Sequence, residues 1–590
     1  MGLWSSNAVG QVTLKTEDQV LGYVGLPVES TYVHSNGSFF LTGEYLYYKV
    51  YCFEGEAGDL TTLSKVAYVE LVGKGGKRVF RHKIRLHNGQ GHGDFFIPTE
   101  VASGSYKLIA YTNWMSNQTA QSFYQKNIAI VNPYRSNQPE LQKRATRQND
   151  SLEIAGSDTL TISRQSENTH TVIGPIQMNV SATHFSKRAK VTVSLNGKAE
   201  GQRITGNYSL SVRKKDIVKD PNENDIANVF LRKNKSTNGT SAAIGDNVML
   251  PELRGELFQG KVVAMQDDKP VNNLIVAISI AGENYVFEVV QTDAQGIFRF
   301  NVAKSYSTET LFLQVLSQEP GAYEVQISEP KTPDYTKLDL GEVHLNYSMR
   351  EDILRRSVHN QIENSYFQFR PDSIMTVLPK HFLDSKEKKT YLLDDYTRFK
   401  TLRETLVEIV PDVFSKRIVK DNFVIRVVGY DYASTVDIPP FILLDGCLIQ
   451  DHNALLEFDT RTVEEISVFR DKFIFGPEIY EGALVLKTKD GNGYEAFQRY
   501  NSISAVELLR PQPDKKYFVQ RYDIINANES VLKLPDDRLQ LLWVPDLKIA
   551  KSDFEIDFFT SDVSGEFEIS LEGVTEKNQP VSIRKSFRVE

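Results

Sequence analysis

The sequence predicts a mainly β chain, made of several β-sandwich domains and one α/β domain. Three observations carry this. Apolar and polar residues alternate with period two through most of the chain, as half-buried strands require. Turn signals recur every 8–12 residues, the spacing of sandwich strands. From about residue 351 helical spacing appears between the strands, which marks one segment of different class.

The elements follow in order. Residues 1–30 form an N-terminal segment. Its opening "MGLWSSNAVGQ" lacks the charged and apolar stretches of a complete signal peptide. It reads either as the remnant of one, with Ala8-Val9-Gly10 near a cleavage site, or as an ordinary frayed end. Residues 31–135 make a first sandwich. Within it "AYVELVGKGGKRVFRHKIRL" (67–86) is a hairpin with glycines and lysines at its tip. A polar linker covers 136–170, and a second Ig-like β domain covers 171–250. A third sandwich spans 251–348, with turns at Asp267-Asp268 and Gln295-Gly296. The α/β domain is assigned 349–500. There "TRFKTLRETLVEIVPDVF" sets Phe399, Leu402, Leu406 and Ile409 on one helical face; a later start would make Thr401 and Glu404 a capping box, and Pro411 is the stop either way. Further on, strands at Phe441–Leu444 and Leu484–Lys487 flank an acidic stretch read as helical. Residues 501–590 return to alternation and form a C-terminal sandwich.

Composition bounds the function. With 590 residues, 41% of them hydrophobic, the chain fills about four domains of ordinary size. A net charge of −8 argues against nucleic acid as a partner, since that needs a basic face. No apolar run approaches the ~20 residues of a membrane-crossing helix. Two cysteines, Cys52 and Cys447, support neither a disulfide framework nor a close-spaced zinc site, and both lie in strand-like runs as core thiols.

Candidate chemistry thins out when each motif is weighed. Gly239-Thr240-Ser241-Ala242-Ala243 lacks the last glycine of a nucleophile elbow. Gly73-Lys74-Gly75-Gly76-Lys77 fails the phosphate-loop spacing and precedes a strand. His82 and His87 are an odd step apart on one strand and face opposite sides, so with His92 they make a poor metal site. Asp267, Asp268 and Asp293 read as turn formers outside any calcium-loop pattern. Asp445, beside Gly446, reads as a turn after a buried strand. The sequence therefore names no catalytic, cofactor-binding or metal-ligating residue, and a non-enzymatic role is expected.

A resemblance sharpens the reading. The stretch 440–491 contains Leu444-Asp445-Gly446, "VEEISVFRD" (463–471), Phe475-Gly476 and "EGALVLKTKDG" (481–491). In order and spacing it resembles the plug domain of TonB-dependent outer-membrane receptors of the Bacteroidota type. Glu481 departs from the family's usual Asn, and no barrel-length series of strands follows. "FLTGEYLYYKVYCF" with "GHGDFFIPTEVASGSYKLIAYT" is similar to the MG2 module of alpha-2-macroglobulin-like proteins, without a thioester stretch. The third sandwich is similar to carboxypeptidase-regulatory-like modules. Together these imply an extracytoplasmic, outer-membrane-associated interaction protein. Its plug-like domain would dock on an outer-membrane β-barrel protein, channel or envelope complex, using Phe469, Phe473, Phe475 and Tyr480 as the interface. The alternative is a protein- or glycan-binding, macroglobulin-like adhesin or protease-binding protein, marked by an exposed aromatic row such as Tyr45, Tyr47 and Tyr111.

Overall fold

The computed structural model describes residues 26–590 except 56–57, 119, 136–158, 161–171, 200–201, 217–224, 228–248, 267–268, 283–284, 304–305, 307, 318, 329–331, 344, 346–348, 376–382, 384–385, 420–421, 430–437, 498–502 and 524–532. The N-terminal reading at Ala8-Val9-Gly10, nearly all of the expected linker, Gly239 to Ala243, and Asp267-Asp268 lie outside the described residues. The chain is mainly β, in several sandwiches, and divides into two compact units. The larger holds 25–253, 331–376 and 511–590, and the smaller holds 254–330 and 377–510.

The larger unit begins with the first sandwich. One sheet runs Glu29–Ser35, Tyr45–Glu54, Asp59–Leu60, with Gln90–Phe96 also on Tyr45–Glu54. The other runs Phe39–Leu41, Tyr124–Val131, Gly104–Tyr111, Val66–Val72, Arg78–Arg85. Leu46, Tyr48, Val50 and Cys52 alternate inward from the Tyr45 strand onto Val69, Leu71, Leu108 and Ile128, the period-two packing of a sandwich core. The 67–86 hairpin forms as expected, Val66–Val72 on Arg78–Arg85. Its tip contains Gly75 and Gly76 at positive φ, where a side chain would be strained.

The second sandwich corrects the expected domain list. Gly206–Lys214 pairs on one side with Gln540–Ile549 and on the other with Gly565–Thr575. Lys190–Gly197 pairs with Asp553–Phe559 in the facing sheet. Segments 171–250 and 501–590 are thus not two domains. Residues 172–214 and 540–589 build one sandwich around a shared core of Val193, Leu210, Val212, Leu542, Phe567 and Ile569. Neither segment has enough strands to cover its own apolar faces, so each completes the other. Helix α1, Arg350–Ser365, also belongs to this unit, which moves the expected boundary from 349 to about 377.

In the smaller unit, the third sandwich faces a three-stranded sheet (Ile297–Val302, Glu256–Ala264, Tyr323–Ile327) with a four-stranded one (Val286–Gln291, Ile275–Ile280, Thr310–Leu316, Ile503–Glu507). Its last strand comes from beyond residue 500, a further shift of the expected boundary. The α/β layer has a five-stranded sheet in the order Lys388–Leu392, Val463–Phe475, Glu478–Thr488, Phe441–Leu444, Cys447–Leu448. Helix α2, Leu402–Ile409, carries the capping box of Thr401 and Glu404. Helix α3 is only His452–Leu456.

The acidic stretch expected to be helical is a strand, Val463–Phe475, bonded to neighbours on both sides. Ile466 and Val468 fill one core and Phe469 and Phe473 another, with a register shift between Phe469 and Lys472. Bulges of this kind change which face later side chains use, and the shift blurs the alternation that would have marked the strand.

Candidate functional site: an aromatic cleft in the larger unit

On the strand Tyr45–Glu54, Tyr45, Tyr47 and Lys49 stay out of the first core, whereas the Tyr51 ring belongs to it. The second sandwich covers this face. Lys49 is buried and ion-paired to Asp546. The Tyr51 hydroxyl donates to the Glu572 carbonyl at 3.0 Å. His34 bonds Ser209 Oγ at 2.6 Å and Ser570 Oγ at 3.1 Å. At the other end of the strand the cover opens into a cleft of about 130 Å³.

A ladder of stacked rings runs along its wall. Phe367 lies 5.8 Å from Tyr45, Tyr45 lies 5.6 Å from Tyr47, and Tyr47 lies 6.0 Å from Trp543, with interplanar angles of 15°, 11° and 23°. Tyr517 meets Tyr47 edge-on at 5.1 Å. Offset stacks and edge contacts at these distances are the favoured aromatic geometries. Tyr45 and Tyr47 keep part of their surface on the cleft, and Phe367 is 42% exposed at its rim.

Helix α1 holds the cleft's upper edge to the first sandwich. Asn360 Nδ2 donates to the Thr42 carbonyl and Asn364 Nδ2 to the Gly43 carbonyl, each at 3.0 Å. Gly43 has φ +89°, and a Cβ there would sit 2.6 Å from Asn360 Nδ2, so this close approach requires glycine. Beneath lies a buried charge cluster. Arg356 donates to Glu44 at 2.6 and 2.8 Å and to Asp216 at 2.7 Å, while Arg213 donates to Glu44 at 2.9 Å.

Most charges at the cleft are already matched. Glu363 pairs with Arg370, and Asp537 with His359 at 2.5 Å. Arg538 makes a two-pronged contact to Asp536 at 2.6 and 2.7 Å. Asp372 is different: its carboxylate accepts from the Phe518 backbone N–H at 2.9 Å and has no ion-pair partner among the described residues. Burial raises its pKa, helped by Asp94 and opposed by the Phe518 N–H and Lys515.

Three donors complete the picture. The Trp543 indole N–H is buried with no hydrogen-bond partner among the described residues, and the Tyr45 and Tyr47 hydroxyls likewise have none there. Burial, with Asp94 and Asp372 nearby, pushes the Tyr45 phenol up to about 12. Burial raises Tyr47 well above its ordinary value too. Both therefore remain O–H donors throughout the physiological range. The lining thus offers stacked rings, O–H and N–H donors and the Asp372 carboxylate to whatever enters the cleft.

The residues singled out from sequence fall elsewhere or partly here. Tyr45 and Tyr47 are in the cleft, but Tyr111 is buried, donating to Glu70 at 2.7 Å. Phe469, Phe473 and Tyr480 are 3%, 6% and 6% exposed. With Phe475 they pack around Phe441: Phe473, Phe475 and Tyr480 stand edge-on to it at 5.0, 5.2 and 5.6 Å. Phe469, Phe473 and Tyr480 are core of the smaller unit and Phe475 is half-buried against them, because the strand there turns its aromatics onto the third sandwich, against Phe287 and Val289. What that hairpin exposes is the cross-strand pair Ile474 and Ile479.

Asp445 has φ 49° and Gly446 φ 84°, forming the two-residue turn between Leu444 and Cys447 that Asp-Gly favours. The Asp445 carboxylate accepts from Thr488 N, Thr488 Oγ1 and Gly493 N at 2.7, 2.6 and 2.7 Å. Cys447 is buried, its thiol pushed up to about 12 by burial and by Asp445.

The remaining candidates are also placed. His82 bonds the Tyr48 hydroxyl at 2.7 Å, His87 is exposed, and His92 lies 3.3 Å from Asp546. They do not converge, and no metal-holding cluster occurs among the described residues. Asp293 accepts from Gln295 N and Ile297 N, closing a turn. The cleft residues that sequence reading missed are Phe367, Asp372, Tyr517 and Trp543. They come from segments far apart in the chain, and the only local signal was the alternation of Tyr45 and Tyr47.

No protein-family model matches the chain, and no curated protein matches it. Among solved structures, the native conformation of Escherichia coli alpha-2-macroglobulin aligns over 96% of this chain and 40% of its own, at 9% identity and TM-score 0.23. Salmonella alpha-2-macroglobulin reacted with methylamine aligns over 95% and 39%, at 8% identity and TM-score 0.22. Dimeric latent PorU from Porphyromonas gingivalis aligns over 54% and 34%, at 10% identity and TM-score 0.15. The chain spans less than half the length of each. Likeness at this level does not reach function, which is argued below from the chain's own residues.

Proposed function

We propose that this chain is a non-enzymatic, extracytoplasmic binding protein with a macroglobulin-like first sandwich, and that it holds a glycan in the aromatic cleft of its larger unit. The observation that carries the reading is the coincidence of unpaired donors with an unmatched acceptor on aromatic walls. Among the described residues, Trp543 Nε1 is buried without a partner, the half-buried Tyr45 and Tyr47 present their rings and hydroxyls to the same cleft, and Asp372 has no ion-pair partner. A buried polar group without a partner costs free energy until one arrives. A sugar supplies ring and hydroxyl oxygens for the donors, hydroxyls for the carboxylate, and C–H faces for the rings. A cationic ligand would match Asp372 but leave the three donors unanswered.

The test is binding of the full chain to an immobilised glycan series alongside the Tyr47→Ala variant. Retention of selected glycans by the parent and their loss in the variant supports the reading. Equal binding by both, or none by either, refutes it.

A second reading rests on one further observation. Ile474 and Ile479 are 74% and 51% exposed at a hairpin tip in the segment resembling a receptor plug. This apolar tip would be the docking point on an outer-membrane β-barrel protein or envelope complex. Crosslinking from Ile474 in native envelopes tests it: recovery of a barrel protein supports docking, and recovery of the chain alone counts against it.

A further inference from the structure

A second cavity of the larger unit, about 110 Å³, lies on the other side of Arg213 and Leu539, which line both. Its walls are basic. Helix α1 contributes Asp352, Arg355, Arg356 and His359, a spacing of three, one and three that sets all four on one helical face. The end of the Gly206–Lys214 strand contributes Arg213 and Lys214, followed by Lys215.

Pairing the charges leaves a remainder. Arg213 and Arg356 are matched by Glu44 and Asp216. Lys215 is matched by Glu566 at 2.7 Å, and His359 by Asp537. Among the described residues, Lys214 Nζ donates only to the Ser564 carbonyl, at 2.9 Å. Neither Lys214 nor Arg355 has a carboxylate within ion-pair distance among the described residues. Asp352 is the one acidic group lining the cavity outside these pairs. Burial lowers the Lys214 pKa, and Arg355 and Arg356 lower it further, against Asp352. The cation thus sits where positive charge is in excess.

We propose that this cavity is an anion site for a tetrahedral oxyanion group, the phosphate or sulfate of a monoester, held by Lys214 and Arg355. The volume is several times the ~10–15 Å³ that admits one water, so such a group fits. Lysine offers a point charge and arginine a planar fork, the two donor types that phosphate and sulfate accept best. The proposal stands apart from the glycan reading of the neighbouring cleft, because its residues and ligand chemistry differ.

The experiment titrates the full chain with sodium phosphate and, separately, sodium sulfate, at ionic strength held constant with sodium chloride. Calorimetry and thermal unfolding are the readouts. Saturable binding above the chloride control is expected. Lys214→Gln and Arg355→Gln should each weaken it about tenfold, the loss of one charge-assisted contact. Arg355→Lys should retain part of it, and Asp352→Asn should tighten it several-fold by removing the opposing carboxylate. The relative affinities distinguish the source: tighter binding of phosphate than of sulfate above the phosphate second pKa of ~6, lost below it, identifies a phosphate site, and tighter binding of sulfate identifies a sulfate site. Unfolding without added anion verifies that the variants remain folded. The proposal is overturned if neither anion saturates beyond chloride, if binding survives the double substitution, or if Asp352→Asn weakens it.

Discussion

Replacing Glu44 by Gln should destabilise the larger unit more than any exposed charge change would. Glu44 has 8% of its side chain exposed and serves two guanidiniums, those of Arg213 (8%) and Arg356 (12%). Without it, Asp216 alone faces both cations, at 2.7 Å from Arg356 and 4.0 Å from Arg213. Breaking a buried ion pair costs about 3–5 kcal/mol, because the partner charge stays buried and unmatched. The glutamine keeps one acceptor oxygen, so we take the lower end, about 3 kcal/mol. An exposed pair would give only about 0–1 kcal/mol.

In urea, with a slope of about 3 kcal/mol/M, the unfolding midpoint of the larger unit should fall by about 1 M. Pairing Glu44→Gln with Arg356→Gln in a double-mutant cycle should show non-additivity of about 1–3 kcal/mol. Burial raises the Glu44 pKa, but Arg356 and Arg213 together pull it below the ordinary 4.5. Its folded form is therefore the stronger acid, and its contribution is complete above pH 4.5 and lost as the pH falls below it. A loss under about 1 kcal/mol, or additive single effects, would refute the claim that this cluster ties helix α1 to the sandwiches.

Glu572 behaves in the opposite sense. Burial raises its carboxyl to about 7, with Arg584, the Ser582 hydroxyl and the Ile226 N–H pulling down and Asp225 up. Between pH 4.5 and 7 the folded chain binds more protons than the unfolded one, so stability should fall by up to about 3 kcal/mol as the pH rises through that window. Glu572→Gln should abolish the fall; an unchanged slope in that variant sinks the assignment. Asp445→Ala strips the acceptor from three donors and places alanine at φ 49°, which should cost the smaller unit about 3 kcal/mol. Asp445→Asn should cost about 1 kcal/mol, since asparagine tolerates the left-handed region. Equal costs in unfolding titrations would contradict the turn's role. Cys52 and Cys447 are both buried, so a thiol reagent at pH 8 should label neither before unfolding and both after it. Fast labelling of either in the native chain would contradict the burial.

The contrast between what the sequence revealed and what it hid follows from range. The capping box at Thr401 and Glu404, the 67–86 hairpin and the Asp445-Gly446 turn are set by residues within a few positions of one another, and all form as read. Alternation located the strands near 206–214 and 540–589 but could not say that they pair, because pairing depends on which apolar faces need cover. The Val463–Phe475 strand was misread because its register shift breaks the period on which the reading depends. The cleft was the least legible feature. Tyr45 and Tyr47 stood out in the pattern, yet Phe367, Asp372, Tyr517 and Trp543 acquire meaning only once two sandwiches and a helix bring them to one wall.

The most direct test of the central claim, that a glycan occupies this cleft, removes two oxygen atoms and nothing else. The strongest-binding glycan of the series would be titrated calorimetrically against the parent chain and against Tyr45→Phe/Tyr47→Phe, in which the ring ladder persists without its hydroxyls. Each lost hydrogen bond is worth about 0.5–1.5 kcal/mol, so the account predicts a fall in affinity of about tenfold or more with folding stability unchanged. Undiminished affinity in the double variant would contradict it.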